Sequence, residues 1–162
     1  MSDARYREIA AELLRERRPP EVFIPGVTPV RLQEVPFGAE EVGEALDSLV
    51  STMLVMGDKT RRFEEAWSQW LGRERSVCVN SGSSAILLAM MWLKFHRATP
   101  GRDEILIPAV TWSTSLFPAI VVGLKPVLVD VDMENLCVNS FAPYITPRTL
   151  AIMPVHLLGH AC

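Results

Sequence analysis

The chain has 162 residues, 49% of them apolar, enough for one domain with a proper core. With 16 basic against 19 acidic side chains the net charge is −3, which gives no general attraction to nucleic acid or to an anionic membrane. No apolar run approaches the ~18–20 residues of a membrane span, and the longest, at 116–124, is broken by Pro118 and Gly123.

Residues 2–18 read as a charged helix with Ile9, Leu13 and Leu14 on one side, capped by Ser2 or Asp3 and stopped by Pro19-Pro20. Arg15, Arg17 and Arg18 lie beside Glu12 and Glu16, as at a solvated helix end. No basic-then-apolar signal pattern opens the chain. Residues 21–36 are punctuated by Pro25, Pro29 and Pro36 and read as an extended arm. A second helix is expected over 39–53, with Val42, Leu46, Leu49 and Val50 at helical spacing. After a turn at 56–59 comes a third, carrying Phe63, Trp67, Trp70 and Leu71 and stopped by Gly72. The two tryptophans read as core or interface anchors.

The pattern then changes. Residues 76–79 form a short apolar run that ends in Asn80-Ser81-Gly82-Ser83-Ser84. A helix begins there, with Ile86, Leu87, Met90, Met91 and Leu93 expected to be buried. Strands are expected at 76–79, 104–107, 126–131 and 150–155, with a helix over 112–123. Short apolar runs alternating with helices specify an α/β domain with a mostly parallel sheet. The domain boundaries read as 1–36 for the helix and arm and 37–162 for the α/β part. Cys78, Cys137 and Cys162 are widely spaced and form neither a metal-ligand set nor a disulfide framework, which points to a reducing, cytoplasmic setting.

A strand, then Asn80-Ser-Gly-Ser-Ser-Ala85, then a helix is an arrangement suited to anions. The first helical turn presents unpaired N–H groups and the positive end of its dipole. Gly82 admits a close ligand, and the serine hydroxyls add donors. Neither a nucleotide-triphosphate loop nor a dinucleotide glycine pattern is present. Ordinary capping by Ser81 or Ser83 is the competing reading. Thr111-Trp112 follows the second strand, at the carboxyl edge where open α/β sheets bind ligands. There the indole either lies against a planar ring or fills the core.

Four segments occur in order: 80–85, Asp103-Glu-Ile-Leu-Ile-Pro-Ala-Val-Thr-Trp112, Val122-Gly-Leu-Lys-Pro-Val-Leu-Val-Asp-Val-Asp132, and Ala151-Ile-Met-Pro-Val-His-Leu-Leu-Gly159. This succession resembles the DegT/DnrJ/EryC1/StrS family of nucleotide-sugar aminotransferases and 3-dehydratases. The resemblance implies part of a fold type I transferase dependent on pyridoxal 5′-phosphate, usually a homodimer. It implies a nucleotide-linked keto-sugar as substrate and glutamate as amino donor. Gly82, Ser83 and Ser84 match the turn that holds the cofactor phosphate, and Trp112 matches the aromatic that stacks on its ring. Asp130 and Asp132 match an Asp-x-Asp with an expected structural role. His156 matches a Pro-Val-His whose role stays open.

The three lysines, Lys59, Lys94 and Lys125, do not match the family's cofactor-bearing lysine, which is expected beyond residue 162. The expectation is an incomplete large domain, inactive alone, whose sheet leaves an apolar face around Val127, Val129, Ile152 and Val155 uncovered. Three readings stand. One is the leading part of a sugar aminotransferase. The second is a 3-dehydratase, favoured by the arm Phe23-Ile-Pro-Gly-Val-Thr-Pro-Val30. The third is a non-catalytic fragment of a split gene.

Overall fold

The computed structural model describes residues 2–17, 22–30 and 37–162. The proline stop expected at 19–20 and the arm's last six residues, 31–36, lie outside them, as do the side chains of Ser2 and Asp3. The chain divides into two compact units, residues 1–77 and 78–162.

The first unit holds three helices: α1 (Ser2–Arg17), α2 (Ala39–Val50) and α3 (Asp58–Leu71). Helix α2 starts at Gly38, whose N–H donates to Glu41 Oε2 at 2.7 Å. That bond holds the Glu41 carboxyl below its ordinary value. Helix α1 packs on α2 at Gly43, which is buried because a Cβ there would lie 2.8 Å from Arg7 Cγ and 3.2 Å from the Arg7 backbone. Glycine at this position is therefore a close-approach device despite its cost inside a helix. Arg7 reaches Glu44 at 3.4 Å, and Lys59 of α3 bonds Glu44 and Asp47 at 2.8 and 2.9 Å. Helix α2 ends at Val50, three residues before the expected stop, where Ser51 caps it and Thr52 takes a positive φ. The arm is also less extended than expected. Residues 24–28 close a turn in which Thr28 N–H donates to Ile24 O and Ile24 N–H to Thr28 Oγ1.

Trp67 and Trp70 are not core anchors within this unit. They stack along α3 with Phe63, ring centroids 5.1–6.1 Å apart, and Trp70 is 75% exposed. Their spacing puts them on one helix face, which no element among the described residues of the unit covers.

The second unit is a three-stranded parallel sheet in the order β2-β1-β3, from β1 (Glu104–Pro108), β2 (Lys125–Val129) and β3 (Thr149–Ile152). Helices α4 (Gly82–His96) and α5 (Ser113–Val121) precede and follow β1. Strand periodicity sorts the central strand. Ile105 and Ile107 pack with Met90, Ala119 and Leu124, whereas Leu106 packs with Val129 and Val138. Strand β3 stops at Ile152, and Met153 N–H still donates to Leu106 O. Pro154 then has no N–H to continue the ladder.

Three expectations need correction. Residues 76–79 run extended but lie outside the sheet, having no ladder partner among the described residues. A short apolar run becomes a strand only when a neighbour's edge receives it. Val129 is fully buried, and Val127 and Val155 are half-buried. The loop 131–141 and Cys162 pack over Val127 and Val129, whereas Ile152 is exposed as expected, and further uncovered apolar surface lies on α4 and α5, at Leu88, Trp92, Phe95, Phe117 and Val121. Met91 of α4 is likewise exposed rather than buried.

Ion pairs close the amino edge of the sheet: Lys125 Nζ to Asp103 Oδ2 at 3.0 Å and Arg148 to Glu104 at 2.7 Å. The hydrogen bond from Lys125 holds the Asp103 carboxyl below its ordinary value of 3.8. A depressed folded-state value contributes stability that is present above the unfolded value and lost as pH falls through the folded one. The thermal midpoint of wild type should therefore exceed that of Asp103→Asn at neutral pH, with the gap closing as pH drops through about 4 and below. Melting both proteins across that range checks it; a gap that is constant with pH would exclude the ion pair as the cause.

Among the described residues no helix is long and apolar enough to cross a membrane.

Candidate cofactor-binding site

Helix α4 begins at Gly82 because Ser81, with extended backbone, caps it: Ser84 N–H donates to Ser81 Oγ at 3.2 Å. The Ser84 hydroxyl donates to Asn80 Oδ1 at 2.6 Å, and Ala85 N–H to Ser81 O. Capping thus takes one of the first donors of the helix. The Ser84 N–H, expected to face an open pocket, is used by the cap, whereas the N–H groups of Gly82 and Ser83 meet no acceptor among the described residues. Nothing lies within 4 Å of a Cβ built on Gly82, so the turn is open to a ligand.

Ser83 and Ser84 line a shallow groove between α4 and α5, with Leu87, Thr114, Phe117, Pro118 and Val121 opposite or beside them. Sequence reasoning missed Thr114 and Phe117. Their signal was the apolar i, i+4 pair Phe117 and Val121, in the helix that opens just after Trp112.

Trp112 is the N-cap of α5, placed by the carboxyl end of β1. Its ring is 75% exposed and does not line the groove, so it is not a core residue of this unit. The Thr111 hydroxyl beside it is buried and has no hydrogen-bond partner among the described residues. A buried hydroxyl left without a partner is uncommon and calls for one that the chain does not itself supply. Gly82 and Ser83 at the start of α4, and Thr111 and Trp112 just before α5, are the residues that would hold a ring-bearing phosphate, although Trp112 lies outside the groove that Ser83 and Ser84 line.

Asp130 and Asp132 serve the loop after β2. Asp130 Oδ1 accepts Val131 N–H, and Asp132 accepts Glu134 N–H at 2.7 Å and Asn139 Nδ2 at 2.9 Å. Those bonds hold the Asp132 carboxyl below its ordinary value. The lysines are engaged elsewhere. Lys59 is bound by Glu44 and Asp47, Lys94 Nζ donates to Gly123 O at 2.8 Å, and Lys125 pairs with Asp103.

Comparison with known proteins gives the family. The model of the DegT/DnrJ/EryC1/StrS aminotransferase family matches residues 37–162. An uncharacterized protein of Methanocaldococcus jannaschii is 33% identical over 144 residues, covering 88% of this chain and 35% of that one. The solved structure of the E. coli GDP-4-keto-6-deoxy-D-mannose-3-dehydratase with bound hydrated PLP is 34% identical with a TM-score of 0.69. It covers 79% of this chain, which covers 34% of it. A candidate sugar aminotransferase of Streptococcus pneumoniae in its PMP form is 31% identical with a TM-score of 0.64, over 75% of this chain and 30% of that one. The chain spans about a third of the length of the relatives it matches. Its helices and parallel sheet match fold type I PLP-dependent enzymes over part of their length, and the chain belongs to the DegT/DnrJ/EryC1/StrS aminotransferase family.

Proposed function

We propose that this chain is the N-terminal, phosphate-binding part of a pyridoxal 5′-phosphate enzyme acting on a nucleotide-linked keto-sugar, an aminotransferase with glutamate as amino donor. The observation that carries the reading is the start of α4, where the N–H groups of Gly82 and Ser83 meet no acceptor among the described residues and the turn is open at Gly82. These donors, with the dipole of a 15-residue helix behind them, hold a dianionic phosphate. Trp112, an exposed indole at the carboxyl end of β1, would stack on the cofactor ring and shield one face of it from water. When bound, the cofactor supplies the electron sink for bond breaking next to the amine. The chain's own part is binding and orientation. None of its lysines is free for the covalent role, so we propose that it is inactive alone and works as part of a homodimeric, cytoplasmic enzyme.

A second reading, sugar 3-dehydration with the same cofactor, is supported by the similarity to the E. coli dehydratase, which is 34% identical where the streptococcal protein is 31% identical. Both readings use the same residues here.

The test is binding by the purified chain. Pyridoxal 5′-phosphate should quench tryptophan fluorescence with a Kd on the order of tens of micromolar to millimolar, about 4–6 kcal/mol. Pyridoxal without the phosphate should bind more weakly, and Trp112→Ala should remove most of the quench although Trp67, Trp70 and Trp92 remain. Equal binding of the two aldehydes, or an undiminished quench in Trp112→Ala, would exclude the site.

A further inference from the structure

His156 follows β3 by four residues, at the carboxyl edge of the sheet. All three strands are parallel, so this is the edge from which β1 leads to Thr111 and Trp112. The imidazole is exposed, yet it is fixed. Its Nδ1 accepts the backbone N–H of Cys162 at 2.9 Å. The intervening chain is folded back to make that bond. Leu157–Gly159 forms a 3-10 turn in which Leu158 and Gly159 take φ of 51° and 86°, and His160 N–H donates to Leu157 O at 3.0 Å. Underneath, the buried Cys137 thiol lies 3.7 Å from Val155 O and 3.5 Å from His160 O, holding both ends of the turn.

An Nδ1 that accepts a backbone N–H carries no proton, so in the neutral ring the proton is on Nε2. That nitrogen has no acceptor among the described residues. The chain thus uses a non-glycine residue at positive φ, a backbone donor and a buried thiol to hold one ring whose outer N–H is unused. A purely structural histidine needs only the Nδ1 bond. Holding a donor in place beforehand is what binding an acceptor at a fixed position requires.

We infer that His156 is a ligand-binding residue of the cofactor site, its Nε2–H donating to an oxygen acceptor of the molecule bound over the carboxyl edge. This inference rests on the cofactor reading above. The acceptor is an oxygen of either the pyridoxal phosphate or the sugar nucleotide, and adding them separately distinguishes the two.

The experiment uses the full 162-residue chain with isotopically labelled histidine, read by long-range proton–nitrogen correlation. The other two histidines are assigned through His96→Gln and His160→Gln. In the free chain at neutral pH the His156 proton should be on Nε2. Pyridoxal 5′-phosphate or a nucleoside diphosphate hexose, added alone, should then shift the Nε2 resonance. Two variants separate support from binding. His156→Asn places an amide oxygen near the Nδ1 position and keeps the Cys162 bond, but has no outer donor. His156→Gln reaches the Nε2 position with an amide N–H. The Asn variant should keep the wild-type melting midpoint yet lose about tenfold in affinity for the shifting ligand, with the Gln variant within about threefold of wild type.

A proton on Nδ1, or an Asn variant that binds like wild type, overturns the inference. If pyridoxal 5′-phosphate binds through Trp112 and neither ligand moves His156, the inference falls and the cofactor reading stands. If the chain binds neither ligand, both fall.

Discussion

Ile105→Ala should be the most damaging single truncation in the second unit, lowering its unfolding free energy by about 2–5 kcal/mol. Ile105 is fully buried in the central strand, in the core cluster that also holds Met90 of α4, Ala119 of α5 and Leu124 just before β2, with Ala151 of β3 packed against it. The surroundings come from four separate elements, so they cannot all close over the missing atoms, and a cavity adds to the lost transfer energy. Leu128, in the edge strand β2 and 54% exposed, is the control. Its replacement by alanine should change stability by about 0.5 kcal/mol or less. Urea unfolding read by circular dichroism gives both numbers, with an unchanged slope marking a change in stability alone. Equal losses at the two positions would mean that the β1 core does not exist as described.

Reductive trapping with borohydride in the presence of pyridoxal 5′-phosphate should leave no lysine labelled stoichiometrically. An amine adds to an aldehyde only when deprotonated. Lys59 is held against that by hydrogen bonds to Glu44 and Asp47, which raise its pKa above the ordinary 10.5. Lys125 is paired with Asp103, and Lys94 is bonded to the Gly123 carbonyl just after α5. The lysines therefore contribute to packing and helix termini, and peptide mapping should find only sparse, scattered label. In a complete enzyme of the family's type one lysine would take nearly all of it. Quantitative label on one of these three, with amino transfer to a keto-sugar nucleotide, would overturn the proposal that the chain is inactive alone.

Much of the fold is legible in the order of residues. Helices α2 to α5 and strands β1 to β3 follow from apolar period and punctuation, because those signals are local: Gly72 stops α3 with φ 64°, and Gly123 follows α5 with φ 74°. Ser81 reads as a cap for the same reason, since an N-cap depends on the residues just after it. The order of four motifs implies the family, and the family match covers residues 37–162.

What the sequence by itself determined is therefore most element types, the parallel sheet, the small residues at the start of α4, and Trp112 at the carboxyl end of β1. Tertiary structure alone decided which surfaces are covered. Val129 and Ile152 are equally apolar, yet Val129 lies under the loop shaped by Asp132 and Ile152 does not. The run at 76–79 has strand composition but receives no ladder partner among the described residues, because pairing is a property of two segments. The division of donors at α4, and the bond from Cys162 that fixes the His156 ring, also depend on where atoms meet. A hydrogen bond has a direction and a distance, and the order of residues encodes neither until the chain has folded.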